Sequence, residues 1–209
     1  MPPEATEAGL VDARGFVPDA DFDIRYAGTR NFVGDRVDGY AAARCWLHRP
    51  VAEALAKVAD DLRTDGLRLR IFDCYRPARA VAHFMRWAQD PADLRTKADY
   101  YPNLDKPALV GEYIAEKSGH SRASTVDLTL LQCDGRGTCA ELDMGTPFDF
   151  FDTLANTDDP RVTPVQRANR DRLRDAMQRH GFANYAMEWW HFTFRPEPTP
   201  DTFFDIPVR

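Results

Sequence analysis

His120, Asp127 and His191 are side chains of the types that bind borderline divalent ions, and Glu188 stands three residues before the last of them. Three such donors on one zinc leave a fourth position open for water. A carboxylate close to that water can take its proton and later deliver it to a leaving amine. Arg76 follows an apolar run and precedes Pro77. Its permanent charge at a strand-to-helix turn suits it to stabilise a tetrahedral oxyanion. Each residue also has a plainer reading. Buried histidines often only pack or hydrogen-bond. His-x6-Asp and Glu-x2-His off a helix are weak patterns, and Arg76 has Asp73 nearby as an ordinary surface partner.

The elements must then bring the donors together. In Ser118–Leu130, Val126, Leu128 and Leu130 share one face of a strand, and Asp127 and Thr129 share the other. His120 falls in the small polar turn before that strand. Glu188 and His191 have opposite parity in a flat strand, so the chain must bend near Trp189 if both are to reach one site. Trp189 and Trp190 read as core or pocket wall.

Along the chain, residues 1 to about 20 read as a loose arm, and Asp23–Ala27 as a short early strand. Pro50 opens a helix carrying Val51, Leu55, Val58 and Leu62, closed by Gly66. Leu67–Asp73 alternates as a strand. A helix from Ala78 to about Gln89 carries Ala82, Met85 and Trp87 among its apolar positions, with His83 as packing. Residues 90–118 form an irregular connection, long enough to suggest a functional role. Thr163 and Pro164 open a helix with Val165, Ala168, Leu173 and Met177, ending near Gly181, where His180 suits the helix dipole. Two short strands follow, then a proline-rich tail unable to pair inside a sheet. The pattern predicts an α+β fold, with helices packed on one side of a mainly antiparallel sheet.

The 209 residues suffice for one domain with a sizeable core, and residues 1–209 read as one. A net charge of −6 with dispersed basic residues argues against nucleic acid as the main partner. No stretch approaches the ~20 apolar residues of a membrane span. The first ten residues lack the basic and apolar regions of a signal peptide, which points to the cytoplasm if the chain starts at its natural beginning. Cys45, Cys74, Cys133 and Cys139 form no Cys-x2-Cys pair. Cys133 and Cys139 flank a predicted hairpin tip at Asp134–Thr138 and could face each other there. Free thiols are the expectation for all four. The pattern carries no signal about oligomeric state.

Ser118-Gly119-His120 through Asp127 resembles the first signature of zinc D-Ala-D-Ala peptidases, and Glu188-Trp189-Trp190-His191 resembles the second. Val37–Tyr40, Tyr75–Pro77, Tyr100–Asn103, Met144-Gly145, Phe148–Phe150 and Tyr185–Phe194 are similar to one branch, the D-alanyl-D-alanine dipeptidases of the vancomycin-resistance type. The resemblance runs from about Tyr26 to the end. It implies a hedgehog/D,D-peptidase-like fold, one zinc ion per chain held by His120, Asp127 and His191, and hydrolysis of free D-Ala-D-Ala. It further implies Glu188 as general base and then acid, and Arg76 as the group polarising the scissile carbonyl. Asp149 and Tyr26 match positions that receive the substrate ammonium, and Ser118 one that meets its carboxylate. Ala123 stands where a glycine is usual, Gly119 and Thr125 also differ, and the Cys133–Cys139 hairpin is slightly longer. The alternatives are a carboxypeptidase or endopeptidase on the same scaffold, or a zinc-binding module without catalysis.

Overall fold

The computed structural model describes residues 1–134 and 136–209. The strands are β1 (Leu10–Asp12), β2 (Asp21–Phe22), β3 (Trp46–His48), β4 (Leu67–Asp73), β5 (Thr125–Cys133), β6 (Cys139–Glu141), β7 (Phe182–Asn184) and β8 (His191–Phe194). The helices are α1 (Pro3–Glu7), α2 (Arg49–Arg63), α3 (Ala78–Ala88), α4 (Lys97–Tyr100), α5 (Lys106–Leu109) and α6 (Pro164–Arg179). A six-stranded sheet runs β2-β4-β5-β8-β7, with β6 added to β5, and β1 and β3 form a separate ribbon. Only β2 and β4 are parallel; the other described pairs are antiparallel. The expected α+β architecture is therefore what the chain adopts.

β5 is the spine. Its residues from Thr125 to Leu131 are all buried, because β4 and β8 flank it and helices cover it. α2 and α6 pack on each other, α2 also against β4 and α6 against β5 and β7. α2 buries Val51, Leu55, Val58 and Leu62, the predicted stripe. Thr163 caps α6, as the sequence suggested, and Gln166 answers it with a reciprocal bond.

The inward face of α6 differs from expectation. Val165 is 67% exposed, Ala168 is exposed, and Arg170 is buried with Leu173, Ala176 and Met177. The Arg170 guanidinium donates to the carbonyls of Met144, Asn156 and Leu154 at 2.7, 2.7 and 3.0 Å. An apolar count misses this residue because a guanidinium can be buried when its donors find backbone acceptors, as they do here. The loop it pins carries Asp149.

Four further expectations are corrected. The arm is docked: β1 pairs with β3, and Ala5, Leu10, Ala13 and Val17 are buried. Asp23–Ala27 is not a strand; β2 ends at Phe22 and Arg25–Ala27 is a 3-10 turn that buries Tyr26. α3 buries Ala80, Val81, Phe84, Trp87 and Ala88, leaving Ala82 exposed, so its inward face is rotated from the predicted one. The cysteines are not free: Cys45 bonds Cys74 and Cys133 bonds Cys139, with Cα atoms 5.1 and 4.0 Å apart. The ribbon lays Cys45 beside the exit of β4, where the Tyr75 N–H donates to the Trp46 carbonyl at 3.0 Å. Cys133 and Cys139 are cross-strand neighbours. The predicted turn between them includes Gly135, which lies outside the described residues.

Candidate metal centre and its cleft

One cross-strand row builds the centre. Asp73 on β4 stands opposite Asp127 on β5, which stands opposite His191 on β8. Cross-strand partners project to the same face, so three polar side chains meet where alternation alone would separate them. A register shift between Ile71 and Asp73 brings Asp73 level with the row. His120 arrives from outside the sheet, on a 3-10 turn (Gly119–Arg122) whose first N–H groups are capped by Ser118 Oγ accepting from the His120 N–H at 3.2 Å. The bend expected near Trp189 is a turn between β7 and β8: the Glu188 N–H donates to the Tyr185 carbonyl and the His191 N–H to the Glu188 carbonyl.

The donor atoms converge. His120 Nε2 lies 3.3 Å from His191 Nδ1 and 3.2 Å from Asp127 Oδ2, and His191 Nδ1 lies 3.2 Å from Asp127 Oδ1. His120 Nδ1 is 2.7 Å from the Cys74 carbonyl oxygen. A carbonyl only accepts, so Nδ1 carries the proton and Nε2 presents a lone pair. Burial lowers the His120 pKa, which favours that neutral ring. Asp127 Oδ1 is buried and, among the described residues, accepts no well-aligned hydrogen bond, although His191 Nδ1 stands 3.2 Å away. Burial opposes its charge, yet the facing His120 and His191 keep its carboxyl well below the usual range. One ligand atom from each of His120, Asp127 and His191 lies within 4.8 Å of the others. Two nitrogens about 2.0–2.1 Å from a tetrahedral zinc would stand about 3.3 Å apart. The spacing, the oxygen without an aligned donor and the two-imidazole, one-carboxylate set all fit such an ion.

Arg76 is paired with Asp73 but is not on the surface. Its side chain is 13% exposed; Nε donates to Asp73 Oδ2 at 3.0 Å and the guanidinium lies 3.6 Å from Asp127. It sits 5.0 Å from the ring centres of Tyr26 and Phe84. Asp73, which the sequence offered only as a salt-bridge partner, is fully buried and also accepts from Tyr40 OH at 2.6 Å. The one clue to it was an aspartate closing an apolar strand three residues before an arginine.

Glu188 lies 3.4 Å from His191 Nδ1. Burial pushes its carboxyl up to about 7, with Asp127 adding to the rise and His191 opposing it. Asp149 stands in the same cleft, buried, at a backbone φ of +62°. Its described hydrogen bonds come from one donor, Tyr26 OH, at 3.1 and 2.9 Å to its two oxygens. Burial pushes its carboxyl well above the usual range. Ser118 Oγ faces the Arg76 guanidinium at 3.5 Å. The cleft holds about 290 Å³ and is lined on one side by Gly111–Ala115, Lys117 and Ser118 from the long connection. All eight residues singled out in the sequence line it. Trp190 forms part of its wall, whereas Trp189 is core and donates to Thr146 Oγ1 at 2.8 Å. Of the other histidines, His48 faces Thr199 Oγ1, His83 accepts from the Asp38 N–H, and His180 faces Asp61.

The family model described as D-ala-D-ala dipeptidase (Peptidase_M15) matches residues 6–209. A curated D-alanyl-D-alanine dipeptidase from Enterococcus faecium is 40% identical over 97% of this chain and 100% of its own length. One from Streptomyces coelicolor is 43% identical over 90% and 92%. One from Escherichia coli is 36% identical over 88% and 83%. Among solved structures, a vancomycin-resistance D,D-pentapeptidase VanY mutant in complex with Zn(II) aligns over 72% of this chain and 73% of its own, at 17% identity and a TM-score of 0.43.

Proposed function

The chain belongs to the Peptidase_M15 family of D-Ala-D-Ala dipeptidases, and on that footing we propose that it hydrolyses free D-Ala-D-Ala to two molecules of D-Ala. The observation that carries the dipeptide is Asp149, a buried carboxyl that forms no ion pair among the described residues, in the same small cleft as three converging metal donors. A buried anion is unfavourable unless a positive partner arrives. A free α-ammonium is such a partner, and a peptide extended at that end has none. The cleft is also at the lower limit of ligand sites, which run from ~300 Å³ upward.

In this reading residues 1–209 act as one catalytic domain, with one zinc held by His120, Asp127 and His191. When bound, the ion supplies Lewis acidity, which lowers the pKa of water and draws charge from a carbonyl. Glu188 accepts the proton of the attacking water and returns it to the leaving amine, work suited to a carboxyl near neutrality. Arg76, oriented by Asp73, faces the developing oxyanion, a role worth about 3 to 4 kcal/mol for a good donor. Tyr26 and Asp149 hold the ammonium, and Ser118 meets the carboxylate.

The test is release of D-Ala from D-Ala-D-Ala and from a longer peptide ending in D-Ala-D-Ala, each with and without a chelator. Chelator-sensitive cleavage of the dipeptide alone is expected. Cleavage of only the longer peptide would place the chain with carboxypeptidases or endopeptidases. No cleavage of either, with metal bound, would leave a binding module. Among the described residues no helix is long and apolar enough to cross a membrane. The cytoplasmic location remains a proposal against which both disulfides weigh, since such bonds persist in oxidising surroundings. Alkylation in intact cells decides it: blocked thiols mean cytoplasm, and none mean an oxidising compartment.

A further inference from the structure

The cations around the cleft are unequally committed. Arg76 is engaged by Asp73 and Asp127, and His120 and His191 belong to the metal donors. Arg122, close by, is paired with Glu197. Lys117 differs: among the described residues it forms no hydrogen bond or ion pair, and its ammonium rests 5.4 Å from the ring centre of Phe203 at the surface. It lines the catalytic cleft and also a neighbouring cavity bounded by Phe203, Ser118 and Ser121. It therefore stands on the wall the two share, next to Ser118.

A free dipeptide is a zwitterion and asks for one anion and one cation from its site. Asp149 supplies the anion and, among the described residues, has no ion-pair partner. The contacts then run from Asp149 to Tyr26, from Tyr26 to the Arg76 guanidinium above its ring, and from Arg76 to Ser118, whose chain neighbour Lys117 lines the same cleft. Ser118 Oγ is already an acceptor for the His120 N–H and faces Arg76, and a hydroxyl alone leaves a carboxylate's charge unbalanced. We infer that Lys117 receives the substrate carboxylate and so makes this site select a free acid terminus. The inference rests on the dipeptidase reading above. An ammonium held only by an aromatic face at the rim is free to swing on its four-carbon stem. Glu116, its neighbour in sequence, borders the second cavity and not the catalytic cleft.

The experiment compares D-Ala-D-Ala with its C-terminal amide, using the metal-loaded wild type, Lys117→Ala and Lys117→Arg, with thermal melting as a check on folding. Lys117→Ala should lose roughly 10-fold in kcat/KM for the acid, mainly through KM, the scale of one charge-assisted contact. The amide should be cleaved alike by wild type and Lys117→Ala, and Lys117→Arg should restore most of the loss. Equal losses on acid and amide, or no loss on the acid, would overturn the assignment. A wild type that cleaves neither compound would overturn the dipeptidase reading and this inference with it.

Discussion

The cleft has two corners built on opposite electrostatic terms. At the metal corner every charge meets another: Asp127 faces two imidazoles and Arg76, Arg76 is held by Asp73, and Asp73 accepts from Tyr40. At the Asp149 corner a carboxyl is also buried, and among the described residues only a phenol donates to it. The first arrangement is self-consistent before substrate arrives, and on the proposed reading an ion would complete it. The second is incomplete until a cation enters. The two corners also hold both non-glycine residues found at positive φ among the described residues, Ala123 beside His120 and Asp149 itself. On the proposed reading the difference divides the tasks: one corner serves chemistry, and the other, a desolvated carboxyl, serves recognition of a cation.

The largest effect should come from Asp127→Asn. Removing the charge between His120 and His191 should lower metal affinity by at least about 100-fold, since even outer-shell changes reach that range, and abolish turnover. Metal content by mass spectrometry on folded protein checks this. A variant that keeps its ion would mean the row is not the binding site. Glu188→Gln comes next. Metal content should hold while kcat falls by about 10² to 10⁴, the usual contribution of a positioned acid-base group. If the ion leaves as well, Glu188 belongs to the donor set and not between the corners.

Asp149→Asn should act on the other corner alone. The loss in kcat/KM on D-Ala-D-Ala should be roughly 10- to 100-fold, the range of a charge-assisted contact of about 1.5–3 kcal/mol, with metal content unchanged. An N-acetylated analogue, which brings no ammonium, should be affected much less. Equal losses on both would erase the contrast between the corners. Wild type should lose stability relative to this variant as pH rises. Burial raises the folded Asp149 pKa above its unfolded value near 3.8. The folded state therefore favours the protonated form, and that favourable share is lost as pH climbs from about 4 through the folded pKa. Wild type and Asp149→Asn should melt together near pH 4, and at pH 8 the variant should be the more stable by on the order of 1 to 3 kcal/mol. A gap that narrows with rising pH would mean the carboxylate is not desolvated.

The sequence made these corners unequally visible. His120, Asp127, Glu188 and His191 are residue types with few uses in combination, and strand parity even demanded the turn found around Trp189. Asp149 and Tyr26 came only through resemblance, because nothing local to Phe148-Asp149-Phe150 says that loop is buried. Its burial is decided 21 residues later in sequence by Arg170, whose carbonyl bonds hold the loop down. The Cys45–Cys74 bond was illegible for the same reason: it needs the β1–β3 ribbon beside the end of β4, and that ribbon needs a docked arm. Local periodicity reports which face of an element is apolar. It does not report which loop a distant arginine will bind.

Ala123→Gly should give the smallest effect, and it tests whether strain at the metal corner does any work. Ala123 has φ +55° and ψ +29°, is fully buried, donates to the His120 carbonyl and accepts from the His48 N–H, both at 3.0 Å. Left-handed backbone costs an alanine about 1–2 kcal/mol, and glycine would relieve it. Glycine would also lose a buried methyl, about 0.8 kcal/mol, and gain freedom in the unfolded chain, about 0.4–1 kcal/mol. The terms nearly cancel, so the melting temperature should move by less than about 3 °C for a chain this long. Metal affinity should hold within threefold, because the bonds that aim His120 are backbone bonds a glycine also makes. A larger fall in affinity would show that the methyl itself holds the turn in place. In that case the metal corner, like Asp149, would depend on a strained residue for its function and not merely tolerate one.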